Sequence, residues 1–379
     1  MSFSRIVSFI LVLVCLLSCF STSVFSAISP PSVSAECAVL IDADTGNIIY
    51  EKNANKKRSM ASTTKIMTAI VALESYQKSN EVSISPEAVG VEGSSIYLRE
   101  GEVLTMEQLL YALLLESAND AAVAIAVAAA GSVEDFASIM NQKANELGLK
   151  STSFQNPHGL DNENHYTTAY ELALIAKYAL NIKSFREIVS TYKKTIPMPE
   201  GGTRVLINHN KMLRLYDGAI GVKTGFTKKS GRCLVSAAER DGLTLIAVTL
   251  NAPDDWNDHT ELLDYGFSKY KRVILVEKEG FAVNVPVIGG CDSTLLAVNE
   301  SEISLTLPTD SDEPTLYKEY PKFLYAPIKE GDIIGKIYCK IGNEIVAESE
   351  IKAAYSIEMQ TYKKSIWQKI SDFFYNLFN

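Results

Sequence analysis

The run from Asp120 to Ala130 carries one ionisable side chain, at its first position, followed only by alanine, valine and isoleucine. A helix of that composition offers water no polar face, so it is buried almost all round and its neighbours approach closely over small side chains. It belongs to a largely helical subdomain. Met106 to Leu115 precedes this run as another apolar helix, and Val133 to Leu147 and Thr167 to Leu180 show stripes at helical spacing. Ser62 to Tyr76, with Ile66, Met67, Ile70, Val71 and Leu73 on one stripe, begins at a Ser/Thr position suited to an N-cap.

On both sides of this block the apolar period changes to two. Ala38 to Ile41 and Asn47 to Tyr50 alternate around Asp44-Thr45-Gly46, the signature of a hairpin. Gly218 to Lys223, Cys233 to Arg240 and Leu243 to Leu250 read as consecutive strands, separated by the loop Gly225 to Gly231 and the turn Asp241-Gly242, which implies an antiparallel sheet. Leu262 to Tyr270 reads as a closing helix. From Val273 onward short alternating runs (Val273 to Val276, Val283 to Val287, Ile303 to Leu307, Ile333 to Ile341) indicate a small all-β domain, with Asp310 to Glu313 as an exposed loop.

The ends of the chain carry different signals. Residues 1–26 hold Arg5, an apolar run from Ile6 to Phe20 and small residues up to Ser26, the pattern of a secretory signal peptide. A retained anchor is the alternative, but about 15 apolar residues fall short of the roughly 20 that span a bilayer. Leu16-Leu17-Ser18-Cys19 also loosely resembles a lipoprotein box, with Cys19 as the lipid attachment point. Beyond the signal remain Cys37, Cys233, Cys291 and Cys339, too widely spaced for a zinc site and read by default as buried free thiols. The four histidines form no ligand pattern, so neither a metal nor a cofactor is expected. At the other end Ile366, Trp367, Ile370, Phe373, Phe374, Leu377 and Phe378, with Lys363, Lys364 and Lys369 nearby, describe an amphipathic helix over residues 361–379 suited to a membrane surface. The alternative is a helix docked on the protein's own core. A formal net charge of -9 argues against nucleic acid as partner.

Three short motifs carry chemistry. Ser62-Thr63-Thr64-Lys65 heads a helical stretch, Ser117-Ala118-Asn119 ends another, and Lys223-Thr224-Gly225 stands beside a strand. A serine hydroxyl needs a nearby base to attack a carbonyl, and a lysine three residues on along a helix shares its face. Such a lysine acts as base only while neutral, and burial together with a neighbouring positive charge favours that state. Lys223 is a candidate source of the repulsion on Lys65.

In this order the motifs match the Ser-X-X-Lys, Ser-X-Asn and Lys-Thr-Gly set of serine penicillin-binding proteins and β-lactamases. The chain resembles, over nearly its whole length, the low-molecular-mass D-alanyl-D-alanine carboxypeptidases. The matching residues run from Ala38 to Asp42, Ala61 to Thr68, Ser117 to Ala121, Asn156 to Leu160 and Asp217 to Thr227. The resemblance implies an α/β catalytic domain over residues 33–272, an antiparallel sheet built from both chain ends with a helical subdomain inserted, then the all-β domain over residues 273–356. It also implies an exported bacterial protein at the outer face of the cytoplasmic membrane, which trims peptidoglycan stem peptides ending in D-Ala-D-Ala and is acylated by β-lactams.

By the same resemblance Ser62 is the nucleophile, Lys65 the general base and Ser117 a proton relay. Asn119 binds a substrate amide or holds Lys65, and Lys223, Thr224 and Gly225 receive the substrate's terminal carboxylate. The backbone N–H groups of Ser62 and Phe226 are the oxyanion donors. His158 is read as turn chemistry and stays outside the catalytic set. Arg232 either strengthens the anionic subsite or stands exposed at a strand start, and the acidic stretch Asp254 to Asp258, where some relatives carry an arginine, shifts weight to Lys223. A β-lactamase shares the motifs but needs a second base aimed at water, and Glu163 to Glu171 lacks the pattern of such a base. A non-catalytic peptidoglycan sensor and an endopeptidase acting on cross-links are the other readings.

Overall fold

The computed structural model describes residues 29–361 and 366–378. The segment read as a signal peptide, with Cys15 and Cys19, lies outside the described residues, as do Lys363 and Lys364. Strands β1 (Cys37–Asp42) and β2 (Ile48–Lys52) form the expected hairpin. Then come helix α1 (Lys65–Ser75), the ribbon β3 (Glu81–Ser83) and β4 (Val103–Thr105), and helices α2 (Met106–Leu115), α3 (Asn119–Ala130), α4 (Val133–Glu146), α5 (Ala169–Leu180) and α6 (Lys183–Ser190). A second ribbon, β5 (Lys193–Pro197) with β6 (Thr203–Ile207), and the short α7 (Met212–Leu215) lead into β7 (Ala219–Thr227), β8 (Gly231–Arg240), β9 (Leu243–Leu250) and helix α8 (Asp255–Lys269).

The main sheet has the order β2-β1-β9-β8-β7, with antiparallel neighbours throughout. Strands from the start and the end of this first region meet because β1 pairs with β9, Cys37 opposite Leu250 and Asp42 opposite Leu245. Every residue of β9 is buried, since α5 covers one face of the sheet and α8 the other. Its one deeply buried hydroxyl, that of Thr249, is satisfied by Nε2 of His259 in α8 at 2.9 Å.

Helix boundaries follow from local chemistry. Thr105 and Gln108 form a reciprocal capping box at α2, Ser132 and Thr168 cap α4 and α5, and Gly131 ends α3 at φ +85°. Helix α3 is buried over its first eight residues, as its alanines require. Two expectations need correction. Helix α8 begins at Asp255 rather than Leu262: its acidic residues are a first turn that complements the helix dipole, and the Asp258 carboxylate also accepts from Ser34 N, Ser34 Oγ and Ala35 N. Of the four cysteines, all free, Cys291 is exposed in the turn after a strand rather than buried.

The second region is all β. A two-stranded ribbon, β10 (Tyr270–Val276) with a strand later in sequence, stands beside a six-stranded sheet. In chain order the remaining strands are β11 (Ala282–Ile288), β12 (Thr294–Asn299), β13 (Ile303–Pro308), β14 (Thr315–Glu319), β15 (Leu324–Tyr325), β16 (Ile333–Ile341) and β17 (Glu344–Ala353), of which β13 pairs with β10. Val285, Leu295, Ala297, Ile337 and Ile351 form its core. Helix α9 (Ile366–Phe378) follows, with Trp367 and Phe373 exposed.

Candidate active site

Ser62 lies in a 3-10 turn, Ala61–Thr64, that runs directly into α1. The expected side-chain cap does not form. Instead the hydroxyls of Thr63 and Thr64 turn back and donate to the carbonyls of Met60 at 2.6 Å and Ala61 at 2.8 Å, because the turn winds too tightly to leave the usual cap donors in front of them. The turn starts from a left-handed Ala61, φ +47°, a conformation that costs an L-residue about 1–2 kcal/mol and persists only under external constraint.

That constraint is visible. Gly159, at φ +91°, presses its backbone so close that a Cβ there would lie 2.0 Å from the Ala61 carbonyl oxygen. The Thr64 hydroxyl spends its proton on Ala61, so its oxygen accepts from Nε2–H of His165 at 2.7 Å. Nδ1 of the same ring accepts from Gln155 N at 3.0 Å. These two bonds fix a neutral tautomer, and burial holds the ring's pKa at about 4.

One turn along, the Lys65 amine is fully buried and touches Ser62 Oγ at 2.9 Å, Asn119 Oδ1 at 2.7 Å and the His158 carbonyl oxygen at 2.6 Å. Burial, then the charge of Lys223, drives its pKa well below that of an ordinary lysine. A neutral amine has two N–H donors and one lone pair. Asn119 Oδ1 and the His158 carbonyl can only accept, so they take the two donors, and Ser62 alone is left to donate to the lone pair.

Asn119 opens α3 and is fixed by two further bonds, Nδ2 to the Glu92 carbonyl at 2.6 Å and its own N–H to the Ser94 carbonyl at 2.7 Å. Ser117, in the link between α2 and α3, adopts φ +60° and lines the same cleft as Ser62. Lys223, Thr224 and Gly225 sit on β7, the edge strand of the sheet. Lys223 is 1% exposed, and burial lowers its pKa to about 7. A Cβ on Gly225 would stand 3.0 Å from Ser62 N and 3.1 Å from Thr63 N, so only glycine lets the strand lie this close to the turn. Phe226 follows and is 66% exposed.

Ser62, Ser94, Ser117, His209, Thr224, Gly225, Phe226, Arg232, Asp255 and Trp256 line one cleft of 320 Å³. The motifs thus converge, with Lys65, Asn119 and Lys223 just behind the wall. Sequence reasoning marked the segment Asn156 to Leu160 but missed the part played by the His158 carbonyl, and it missed His165 and His209, which no motif marks because their neighbours are set by the fold. The His158 ring is an acceptor for Leu160 N at 3.2 Å and is held neutral by burial, which agrees with a turn role. Glu171 is committed to Lys150 N, Ser151 N and Thr152 Oγ1, and so is not aimed at a water in the cleft. A larger cleft of 840 Å³, between Glu300, Tyr320, Lys336 and Glu350 in the all-β region, contains none of these groups.

Residues 24–254 match the family described as D-alanyl-D-alanine carboxypeptidase, and residues 270–359 match the C-terminal domain of penicillin-binding protein 5. D-alanyl-D-alanine carboxypeptidase DacF of Bacillus subtilis is 36% identical over 84% of this chain and 85% of its own length. DacA of Escherichia coli is 31% identical over 92% of this chain and 90% of its own. Among solved structures, penicillin binding protein 5 from Haemophilus influenzae superposes with a TM-score of 0.70 at 26% identity, covering 88% of this chain and 100% of that one. A peptidoglycan synthesis regulatory factor, PBP3, of Streptococcus pneumoniae gives 0.72 at 28% identity, covering 86% of this chain and 100% of that one.

Proposed function

The chain belongs to the D-alanyl-D-alanine carboxypeptidase family, a serine-type peptide hydrolase, and on that premise we propose how its residues divide the reaction. The substrate is a peptidoglycan stem peptide ending in D-Ala-D-Ala, and β-lactams acylate the same serine. Ser62 Oγ attacks the carbonyl of the penultimate D-alanine while its proton passes to the lone pair of Lys65. The carbonyl oxygen, becoming an oxyanion, is received by the backbone N–H groups of Ser62 and Phe226. Ser117 returns a proton to the leaving amine, terminal D-alanine departs, and water hydrolyses the acyl-enzyme. Asn119 holds Lys65 in line, and Lys223 and Thr224 grip the terminal carboxylate through charge-assisted bonds.

The observation that carries this reading is the set of three partners on one buried amine, two of which can only accept. Incubating the protein with a pentapeptide ending in D-Ala-D-Ala and weighing the products tests it. Wild type releases one D-alanine, and Ser62→Ala slows release at least ~10³-fold and no longer retains labelled penicillin. Release by Ser62→Ala at the wild-type rate would remove the nucleophile assignment. Cleavage only of cross-linked dimers would make the enzyme an endopeptidase.

The same proposal places the mature protein outside the cytoplasmic membrane, after removal of residues 1–26. Residues 361–379 rest on the lipid surface, supported by the exposed Ile366, Trp367, Phe373 and Phe374 on a helix of 13 residues, too short to cross a bilayer.

A further inference from the structure

The loop from Asn156 to Asp161 meets the segment around Ser62 at three points. The His158 carbonyl oxygen takes one donor of Lys65, and Gly159 presses against Ala61. The third contact is made by Asp161, whose Oδ1 accepts from Ser59 Oγ and from Thr227 Oγ1, both at 3.0 Å. One carboxylate oxygen thus joins segments 102 and 66 residues away in the chain. The loop that carries it is closed on itself, because Asn156 Oδ1 accepts from Gly159 N at 2.7 Å and Asn156 Nδ2 donates to the Leu160 carbonyl at 3.0 Å.

The two partners of Asp161 stand beside the two backbone donors assigned to the oxyanion. Ser59 lies three residues before Ser62, and Thr227 directly follows Phe226. The Thr227 hydroxyl is held in place: its oxygen accepts from Ser230 N at 3.0 Å, while Ser230 Oγ accepts from Thr227 N at 3.0 Å and donates to the Gly231 carbonyl at 2.9 Å. Thr227 Oγ1 also lies 2.9 Å from Ser230 Oγ, but a charged carboxylate oxygen is the stronger acceptor for its one proton. Being the edge strand, β7 is laddered to β8 alone, so side-chain contacts set its distance from the turn before α1. Asp161 is exposed, and substitutions at exposed positions shift stability little. Rate responds more sharply, because a misplacement of about 1 Å costs on the order of 10²-fold.

We propose that Asp161 is a positioning residue that sets the spacing between the two oxyanion donors, Ser62 N and Phe226 N, by bridging Ser59 to Thr227. This rests on the carboxypeptidase reading above. Asp161 is not among the residues that line the cleft, so it acts through its two partners rather than on the substrate. What the site needs from it is an oxygen that accepts two hydroxyl protons. The amide oxygen of an asparagine, with two lone pairs, can do the same.

Full-length protein, a pentapeptide ending in D-Ala-D-Ala and labelled penicillin provide the test. Asp161→Ala lowers kcat and the rate of penicillin acylation ~10- to 100-fold, with KM and the urea midpoint close to wild type. Asp161→Asn restores most of the lost rate. Thr227→Val also lowers kcat, and adding it to Asp161→Ala costs less than the two single losses combined. A third readout reports on the oxyanion site itself. In an ester analogue of the peptide, replacing the attacked carbonyl oxygen with sulfur, a weak acceptor, slows wild type more than it slows Asp161→Ala, since only well-placed donors have strength to lose. Should Asp161→Ala fail to fold, Thr227→Val carries the same comparison. Wild-type kcat in Asp161→Ala, no recovery in Asp161→Asn, or an equal oxygen-to-sulfur ratio in wild type and variant overturns this assignment while the carboxypeptidase reading stands. No D-alanine released by wild type overturns both.

Discussion

Two lysines with different environments set the chemistry of the cleft at the scale of single residues. Lys65 has lost its ordinary basicity first to burial and then to the charge of Lys223, so the amine is deprotonated where a normal lysine would be ammonium. Catalysis rises with pH as Lys65 sheds its proton, and that rising limb lies well below the ordinary lysine value of 10.5. In its proposed role Lys223 acts in the opposite sense: it would grip an anion only while charged, and burial brings its pKa to about 7. We therefore expect KM for a free-acid peptide to climb as pH passes through about 7 and KM for the corresponding C-terminal amide to stay level. Steady-state kinetics from about pH 5 to about pH 10, in which each limb of the profile reports the titration of one group, make the check. Parallel pH profiles for the two peptides would separate Lys223 from carboxylate binding. The Ser62 and Lys65 spacing was legible in the sequence because one helical turn fixes it. The amine's third partner was not, since it is a backbone oxygen supplied 93 residues later.

The decisive element is the 3-10 turn before α1 rather than the helix itself. The apolar stripe of α1 was readable from its period, but the left-handed Ala61 and the tight winding behind Ser62 have no sequence signature. They are imposed by the loop around Gly159 and by the bond from His165 to Thr64. Gly159→Ala is expected to drive a methyl group into the Ala61 carbonyl from a backbone already at φ +91°, lowering stability by about 2–4 kcal/mol. It should also reduce kcat more than KM, because the displaced turn carries Ser62, the proposed nucleophile. Urea midpoints and peptide kinetics on the same preparation give both quantities. A stable Gly159→Ala protein with wild-type kcat would mean the turn needs no support from that loop. Helix α8 teaches a related lesson: the acids left outside the expected helix are its first turn, where Ser34 and Ala35 take up the Asp258 carboxylate.

Across the whole molecule, the helical layer, the five-stranded sheet and the all-β region do different work. The cleft that holds Ser62 lies where the sheet edge β7 meets the turn before α1, and no described residue of α9 lines it. Deleting residues 361–379 should leave D-alanine release from a soluble peptide within about twofold of the full chain and abolish co-sedimentation with anionic lipid vesicles. Sedimentation of the truncated protein, or none by the full chain, would refute the surface role of α9. The first hairpin, the helices around the alanine-rich one, the three strands that complete the main sheet and the candidates Ser62, Lys65, Ser117, Asn119 and Lys223 could be read along the chain, because they depend on spacing within one turn or one strand, whereas the ribbons β3–β4 and β5–β6 and helix α6 were not read. The remaining features needed the folded molecule. The lowered basicity of Lys65, the left-handed Ala61 and the pairing of Arg232 with Asp255 arise from groups far apart in the chain, brought together only when β1 pairs with β9 and the helices close over the sheet.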